Sequence, residues 1–197
     1  MSRRLVLFLH GVGSRGGDLA GLGGLWRERL PDTAFVAPDA PFPFDQGSGG
    51  RQWFSVAGVT PDNRAARIVA ARGAFDALVS DILEREGFAD RLDKVAFVGF
   101  SQGSIMALDA IASGRWPVGA VVAFSGRLAS PLPIAPGSAR ICLIHGTADP
   151  VMPVAEARAA EAALRAAGAP VSLHIEQGGG HMISAEGIRI AGDFLAG

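Results

Sequence analysis

The sequence predicts an α/β fold: a mainly parallel central sheet with helices on both faces, in one domain over residues 1–197, with no large cap domain. Three observations carry this. Six short runs are apolar nearly throughout, as strands buried on both faces of a parallel sheet are. Stretches with helical spacing alternate with them. No break in composition and no internal repeat divides the chain, and 49% hydrophobic residues suffice for a large core.

The first predicted strand is "RLVLFLH". With the two arginines of "MSRR" ahead of its apolar run it imitates a leader peptide, but the run "LVLFL" is shorter than the roughly 7–15 apolar residues of such segments, and no small-residue cleavage site follows. "DLAGLGGLWRERL" reads as a weak helix, because each interior glycine costs about 1 kcal/mol relative to alanine. "TAFVAPD" is the second strand. A long Gly-, Pro- and aromatic-rich loop, "APDAPFPFDQGSGGRQWFSVAGVT", comes next. From Asp62 to Glu86 a helix is expected, with Ala66, Val69, Ala70, Phe75, Leu78, Val79 and Ile82 at helical spacing. "KVAFVGF" precedes a helix over Gln102 to Ser113. "VGAVVAFSG" and "ARICLIHG" are the next strands, joined by the loop "RLASPLPIAPGS", too short to hold a large cap. A helix over Val154 to Ala167, the strand "VSLHIEQ" and a helix over Ser184 to Ala196 complete the chain.

Charge excludes some functions. With 18 basic and 19 acidic residues the net charge is -1, and no basic block or acidic tail stands out. Nucleic-acid partners and membrane surfaces normally require a one-signed patch, so neither is expected. No run approaches the roughly 20 apolar residues needed to cross a bilayer, so no stable membrane insertion and a cytoplasmic location are expected. Cys142 is the only cysteine; it sits in an apolar run and reads as a buried, inert thiol.

In open α/β sheets, ligands bind beyond the carboxyl ends of the strands, so the residues there carry the most information. After the first strand, "GVGSRG" matches G-x-G-x-x-G, with Asp39 at the end of the next strand. That is the outline of a dinucleotide-binding fingerprint, and such binding is the alternative function. Against it, His10 precedes the first glycine, and the receiving helix begins with further glycines. The same turn can instead present the Val12 N–H to a developing oxyanion.

After "KVAFV" comes Gly99-Phe100-Ser101-Gln102-Gly103, a G-x-S-x-G pattern. At a sharp strand-to-helix turn it lifts the serine Oγ above the sheet, and the Gln102 N–H at the helix start faces the oxyanion. A serine hydroxyl is a weak nucleophile and needs a base, which in turn needs an orienting carboxylate. His174 lies within a strand. His145 precedes the carboxylate candidate Asp149 of "HGTADPVMP", whereas His181 follows the last strand in "QGGGHMIS". The order Ser101, Asp149, His181, each just past a strand end, matches a nucleophile–acid–base arrangement.

"FLHGVGS", "PDAPFPF", "RQWFS", "GFSQG", "FSG", "HGTADPVMPV" and "GGGH" occur in an order that resembles the phospholipase/carboxylesterase family of α/β-hydrolases, which includes bacterial carboxylesterases and acyl-protein thioesterases. The resemblance runs from about Leu7 to His181. It implies the α/β-hydrolase fold, a catalytic triad on Ser101, Asp149 and His181, and an oxyanion hole from the N–H groups of Val12 and Gln102. It also implies a serine hydrolase acting on carboxylic esters, thioesters or lysophospholipids. Ser104 stands where the family usually has glycine, Met152 replaces a usual valine, and the chain is short for the family; these departures bear on substrate rather than on catalytic class. Phe42, Phe44, Trp53 and Phe54 of the long loop, with Met152 and Met182 beside the acid and base, are candidates to line an acyl pocket. The expected partner is a small acyl ester or thioester of short to medium chain length. No metal or organic cofactor is expected, since HExxH, a Cys/His ligand cluster and the phosphate-binding G-x-x-x-x-G-K-[ST] are missing from the sequence. A homodimer stays open.

Overall fold

The structure is a computed structural model and describes residues 3–197. Each of the six apolar runs forms a strand. The main sheet comprises β1 (Arg4–Leu9), β2 (Thr33–Val36), β5 (Val95–Phe100), β6 (Ala120–Phe124), β7 (Arg140–Gly146) and β8 (Val171–Glu176). Their order is β2-β1-β5-β6-β7-β8, and every neighbouring pair is parallel. The long loop contains one further element, a two-stranded antiparallel hairpin of β3 (Phe42–Pro43) and β4 (Arg51–Gln52).

The helices are α1 (Gly17–Trp26), α2 (Arg64–Glu86), α3 (Gln102–Ala112), α4 (Val154–Ala166) and α5 (Ala185–Ala196). The strands' alternation assigns them to two faces. Leu5, Leu7, Phe97, Val121 and Leu143 pack in one cluster with Ile68 and Phe75 of α2, Met106 of α3 and Leu164 of α4. Val6, Phe8, Val98, Val122 and Cys142 pack in a second cluster with Leu22 and Trp26 of α1 and Leu195 of α5. Fully burying one such side chain contributes about 1.5–3 kcal/mol, so a one-residue slip, which exchanges the two sets, is strongly disfavoured. Burial also pushes the Cys142 thiol up to about 11, in keeping with an inert core cysteine.

One face differs from its sequence pattern. The buried stripe of α2 is Ile68, Ala71, Phe75, Val79, Ile82 and Leu83. Val69 is exposed, as are Ala66 and Ala70. Ala66 and Ala70 lie about half a turn from Ile68 at 100° per residue, so they share a face with each other and not with the core. No helix among the described residues is long and apolar enough to cross a membrane.

Candidate active site

The turn between β5 and α3 is built around a strained residue. Ser101 has φ 51 and ψ -114, a left-handed backbone that a non-glycine residue adopts only when its surroundings impose it. They impose it here through the Phe124 carbonyl at the end of β6. That oxygen accepts from the Ser101 N–H at 3.0 Å and from the Ser104 Oγ–H at 2.8 Å. Ser104 thus takes part in anchoring the turn. The flanking glycines leave room for close backbone contact. A Cβ on Gly103 would overlap the Leu9 carbonyl, and one on Gly99 would overlap the Ser104 backbone.

The loops after β7 and β8 bring the other two groups to Ser101. They are stitched together by Thr147 N–H to the Glu176 carbonyl at 2.9 Å, Ala148 N–H to the Gly179 carbonyl at 2.9 Å, and Gly178 N–H to Thr147 Oγ1 at 2.8 Å. This sets His181 over Asp149. The Ser101 Oγ–H donates to His181 Nε2 at 2.9 Å, and His181 Nδ1–H donates to Asp149 Oδ2 at 2.8 Å. Asp149 Oδ1 accepts from the N–H groups of Val151 and Met152 at 2.9 and 2.8 Å. Burial pushes the Asp149 carboxyl up; the Met152 N–H, His181 and the Val151 N–H together outweigh it and hold it below the usual carboxylate range. The Phe100 ring lies 5.0 Å from the His181 ring and limits its tilt.

His145 also belongs to this cluster, which its early position in the chain concealed. It is buried, and its Nε2–H donates to the Met152 carbonyl at 2.7 Å with Asp149 Oδ2 at 3.4 Å. It fixes the loop that carries the carboxylate. His10 has a similar structural task. Its Nδ1–H donates to the Gly11 carbonyl at 2.7 Å, and its Nε2 accepts from the Ala40 N–H at 2.9 Å. Burial lowers its pKa from the ordinary value, so the neutral ring is favoured.

The glycine-rich turn after β1 is covered by the hairpin. Gly13 N–H donates to the Arg51 carbonyl at 2.8 Å, and Arg51 N–H donates to the Ser14 carbonyl at 2.8 Å. Asp39, the ribose candidate of the dinucleotide reading, accepts from the Gly16 N–H at 2.8 Å. The Gly13 and Gly16 N–H groups and the acid that a nucleotide would use are therefore occupied by the protein itself. The N–H groups of Val12 and Gln102, in contrast, have no acceptor among the described residues, and both line a cleft of about 320 Å³ together with Ser101.

Phe54, Val59, Ile68, Ile105 and Met152 supply apolar wall to that cleft, and Arg64 and Arg127 supply charge. The sequence singled out Phe54 and Met152 but not the rest, which are scattered over α2, α3 and two loops. Four other aromatic and methionine candidates for the acyl pocket, Trp53, Phe44, Phe42 and Met182, do not line this cleft. Trp53 is a core residue: it is 1% exposed, donates its Nε1–H to the His10 carbonyl at 2.8 Å and packs edge-on against Phe75. Phe44 packs on Gly13 and Gly47, and Phe42 is exposed on the hairpin. Met182 is 56% exposed and does not line the cleft. The link between the long loop and the turn is Gln102, whose side chain accepts from the Trp53 N–H at 2.8 Å and donates to the Phe54 carbonyl at 2.7 Å. Among the described residues no group of three or more His, Cys, Asp or Glu side chains is arranged to hold a metal ion.

The model of the phospholipase/carboxylesterase family matches residues 1–197. The chain belongs to that family. Within it, esterase YpfH of Escherichia coli (strain K12) is 37% identical over 194 residues, covering 98% of this chain and 82% of its own. Acyl-protein thioesterase 1 of Saccharomyces cerevisiae is 25% identical over 173 residues, covering 78% and 73%. Among solved structures, that of esterase PE8 superposes with a TM-score of 0.89 at 37% identity, covering 98% of this chain and 92% of its own. The family fold is the α/β-hydrolase, and the six-stranded parallel sheet conforms to it.

Proposed function

We propose that the protein is a serine hydrolase that cleaves carboxylic esters or thioesters of short to medium acyl chains through an acyl-enzyme on Ser101. The observation that carries this is the hydrogen-bonded series Ser101–His181–Asp149 next to two backbone N–H groups that have no acceptor among the described residues.

Ser101 Oγ attacks the acyl carbonyl while His181 Nε2 takes its proton. Asp149, ionised and immobilised by its two backbone donors, keeps Nδ1 protonated and stabilises the imidazolium. The oxyanion accepts from the Val12 and Gln102 N–H groups, with the N-terminal dipole of α3 behind Gln102. His181 passes its proton to the departing alcohol or thiol. Water then attacks the acyl-enzyme with His181 as base and frees Ser101. The relatives' names, esterase and acyl-protein thioesterase, support both leaving groups. No metal or organic cofactor takes part in this sequence of steps. The partner is a small acyl ester or thioester, and the protein is proposed to act in the cytoplasm.

A p-nitrophenyl ester series from acetyl to octanoyl, with acetyl and butyryl thioesters alongside, tests this. Turnover with an optimum at short to medium length is the expected result. No turnover of any ester or thioester, together with saturable NADH binding, contradicts the reading and returns the glycine-rich turn to a nucleotide.

A further inference from the structure

The cleft beside Ser101 contains two arginines that simple ester hydrolysis leaves without a task. We infer, on the strength of the hydrolase reading of Ser101, that this cleft selects acyl groups ending in a carboxylate, so that the preferred substrates are monoesters or monothioesters of short dicarboxylic acids.

His181 must hand a proton to the leaving group, so the leaving group departs on the His181 side of Ser101. The cleft is lined by Ser101, Val12 and Gln102 but not by His181 or Met182. It therefore receives the acyl half.

The chemistry of the walls follows. Apolar residues suit a short methylene chain. Arg64, the first residue of α2, and Arg127, just past β6, suit an anion. Both guanidinium groups share one carboxylate oxygen, Glu156 Oε1, at 3.4 and 3.2 Å. Glu156 does not line the cleft, so the cavity meets two positive charges and no carboxylate. One glutamate neutralises one of the two, leaving a net unit of positive charge. Arg127 also directs Nε–H at the Met152 sulfur, 2.7 Å away. Each guanidinium has five N–H donors, and among the described residues most of them lack an acceptor. The Arg127 side chain is 15% exposed, where a charge-assisted hydrogen bond is stronger than in bulk water. A neutral chain of the same length covers those donors without pairing them, at the cost of their hydration.

The reaction itself is ordinary ester hydrolysis. One water is consumed, the acyl C–O bond breaks, and the alcohol and the dicarboxylate are released with one proton at neutral pH. That proton can be counted in a pH-stat.

The test compares kcat/KM for monoethyl adipate and ethyl hexanoate, which share chain length and leaving group. A preference of about tenfold or more for the adipate is expected, the scale of one hydrogen bond to a charged group. It should shrink as NaCl is raised to about 0.5 M, where the screening length is only a few ångströms. Arg127→Gln and Arg64→Gln should each lower the ratio of the two values, and Arg127→Lys should retain part of it. Moving the carboxylate to the alcohol side, in 2-carboxyethyl hexanoate, should gain nothing over ethyl hexanoate. A ratio at or below one in the wild type, a ratio that neither salt nor substitution moves, or a larger gain for the alcohol-side carboxylate overturns the inference while leaving ester hydrolysis intact. Absence of turnover on both ethyl esters overturns the hydrolase reading and this inference with it.

Discussion

Replacing Ser101 with alanine is expected to lower kcat/KM for acyl esters by about 10⁴-fold or more while leaving the fold intact. The loss follows from the geometry. Ser101 Oγ is the group whose proton His181 accepts at 2.9 Å, and alanine offers no atom to form the acyl-enzyme. The fold should persist because the anchors of the turn are the Ser101 backbone N–H and the Ser104 hydroxyl, both on the Phe124 carbonyl, and neither is removed. Ser101 and His181 act as a unit, so the double variant Ser101→Ala/His181→Ala should be no slower than Ser101→Ala alone. Initial rates on p-nitrophenyl butyrate measure all three. Additive losses would mean that the two residues do not cooperate in one step.

The largest expected effect on stability lies away from this site, at Asp109. Its carboxylate is fully buried on α3 and accepts from Arg72 Nε and Nη2 at 2.9 and 2.8 Å, Arg115 Nη1 at 3.0 Å and Ser130 Oγ at 2.7 Å. Arg115 in turn pairs with Asp76 of α2, which also accepts from the Trp116 indole N–H at 2.6 Å. One carboxylate thus joins α2, α3 and the loop after β6. Asp109→Ala leaves the Arg72 guanidinium without its carboxylate in a poorly hydrated place and takes from Arg115 one of its two acidic partners, Asp76 remaining, and unfolding in urea should show a loss of about 3–5 kcal/mol. Burial pushes the Asp109 carboxyl up, but the hydrogen bonds from Arg72, Ser130 and Arg115 outweigh it and hold the folded pKa below the usual value. A depressed folded pKa means that the contribution is fully present above the unfolded value of about 3.9 and is lost as pH falls through the folded one. Asp109→Asn should remove that part of the acid sensitivity. A variant that is as stable as the wild type at pH 7 would show that the network contributes nothing net.

How far the sequence anticipates these features depends on the kind of signal. The strands are legible because a parallel sheet covered on both faces demands nearly continuous apolar runs, and only such runs occur in "KVAFVGF" or "ARICLIHG". Ser101, Asp149 and His181 stand out because each follows a strand and the order is constrained, and the fold brings them within hydrogen-bond reach. Residue type does not reveal direction. Trp53 and Phe54 are adjacent and equally aromatic, yet one enters the core and the other the cleft, and the Gln102 bonds that decide this come from 48 and 49 residues away. The core face of α2 is hard to read for a related reason, since Val69 is as apolar as the buried Ile68 but lies 100° round the helix. Arg64, Arg127 and Glu156 meet from three elements with no shared motif. Only Arg127 leaves a trace, as a charge immediately after "FSG" at the carboxyl end of a strand, where ligands bind.

The claim on which the rest depends is that Ser101 is the nucleophile activated by His181. Treating the protein with a fluorophosphonate and mapping the adduct by peptide mass spectrometry tests it most directly. The account predicts a single stoichiometric adduct on the peptide containing Ser101, lost in Ser101→Ala and strongly slowed in His181→Ala. An adduct on another residue, or equal labelling of wild type and His181→Ala, would contradict it.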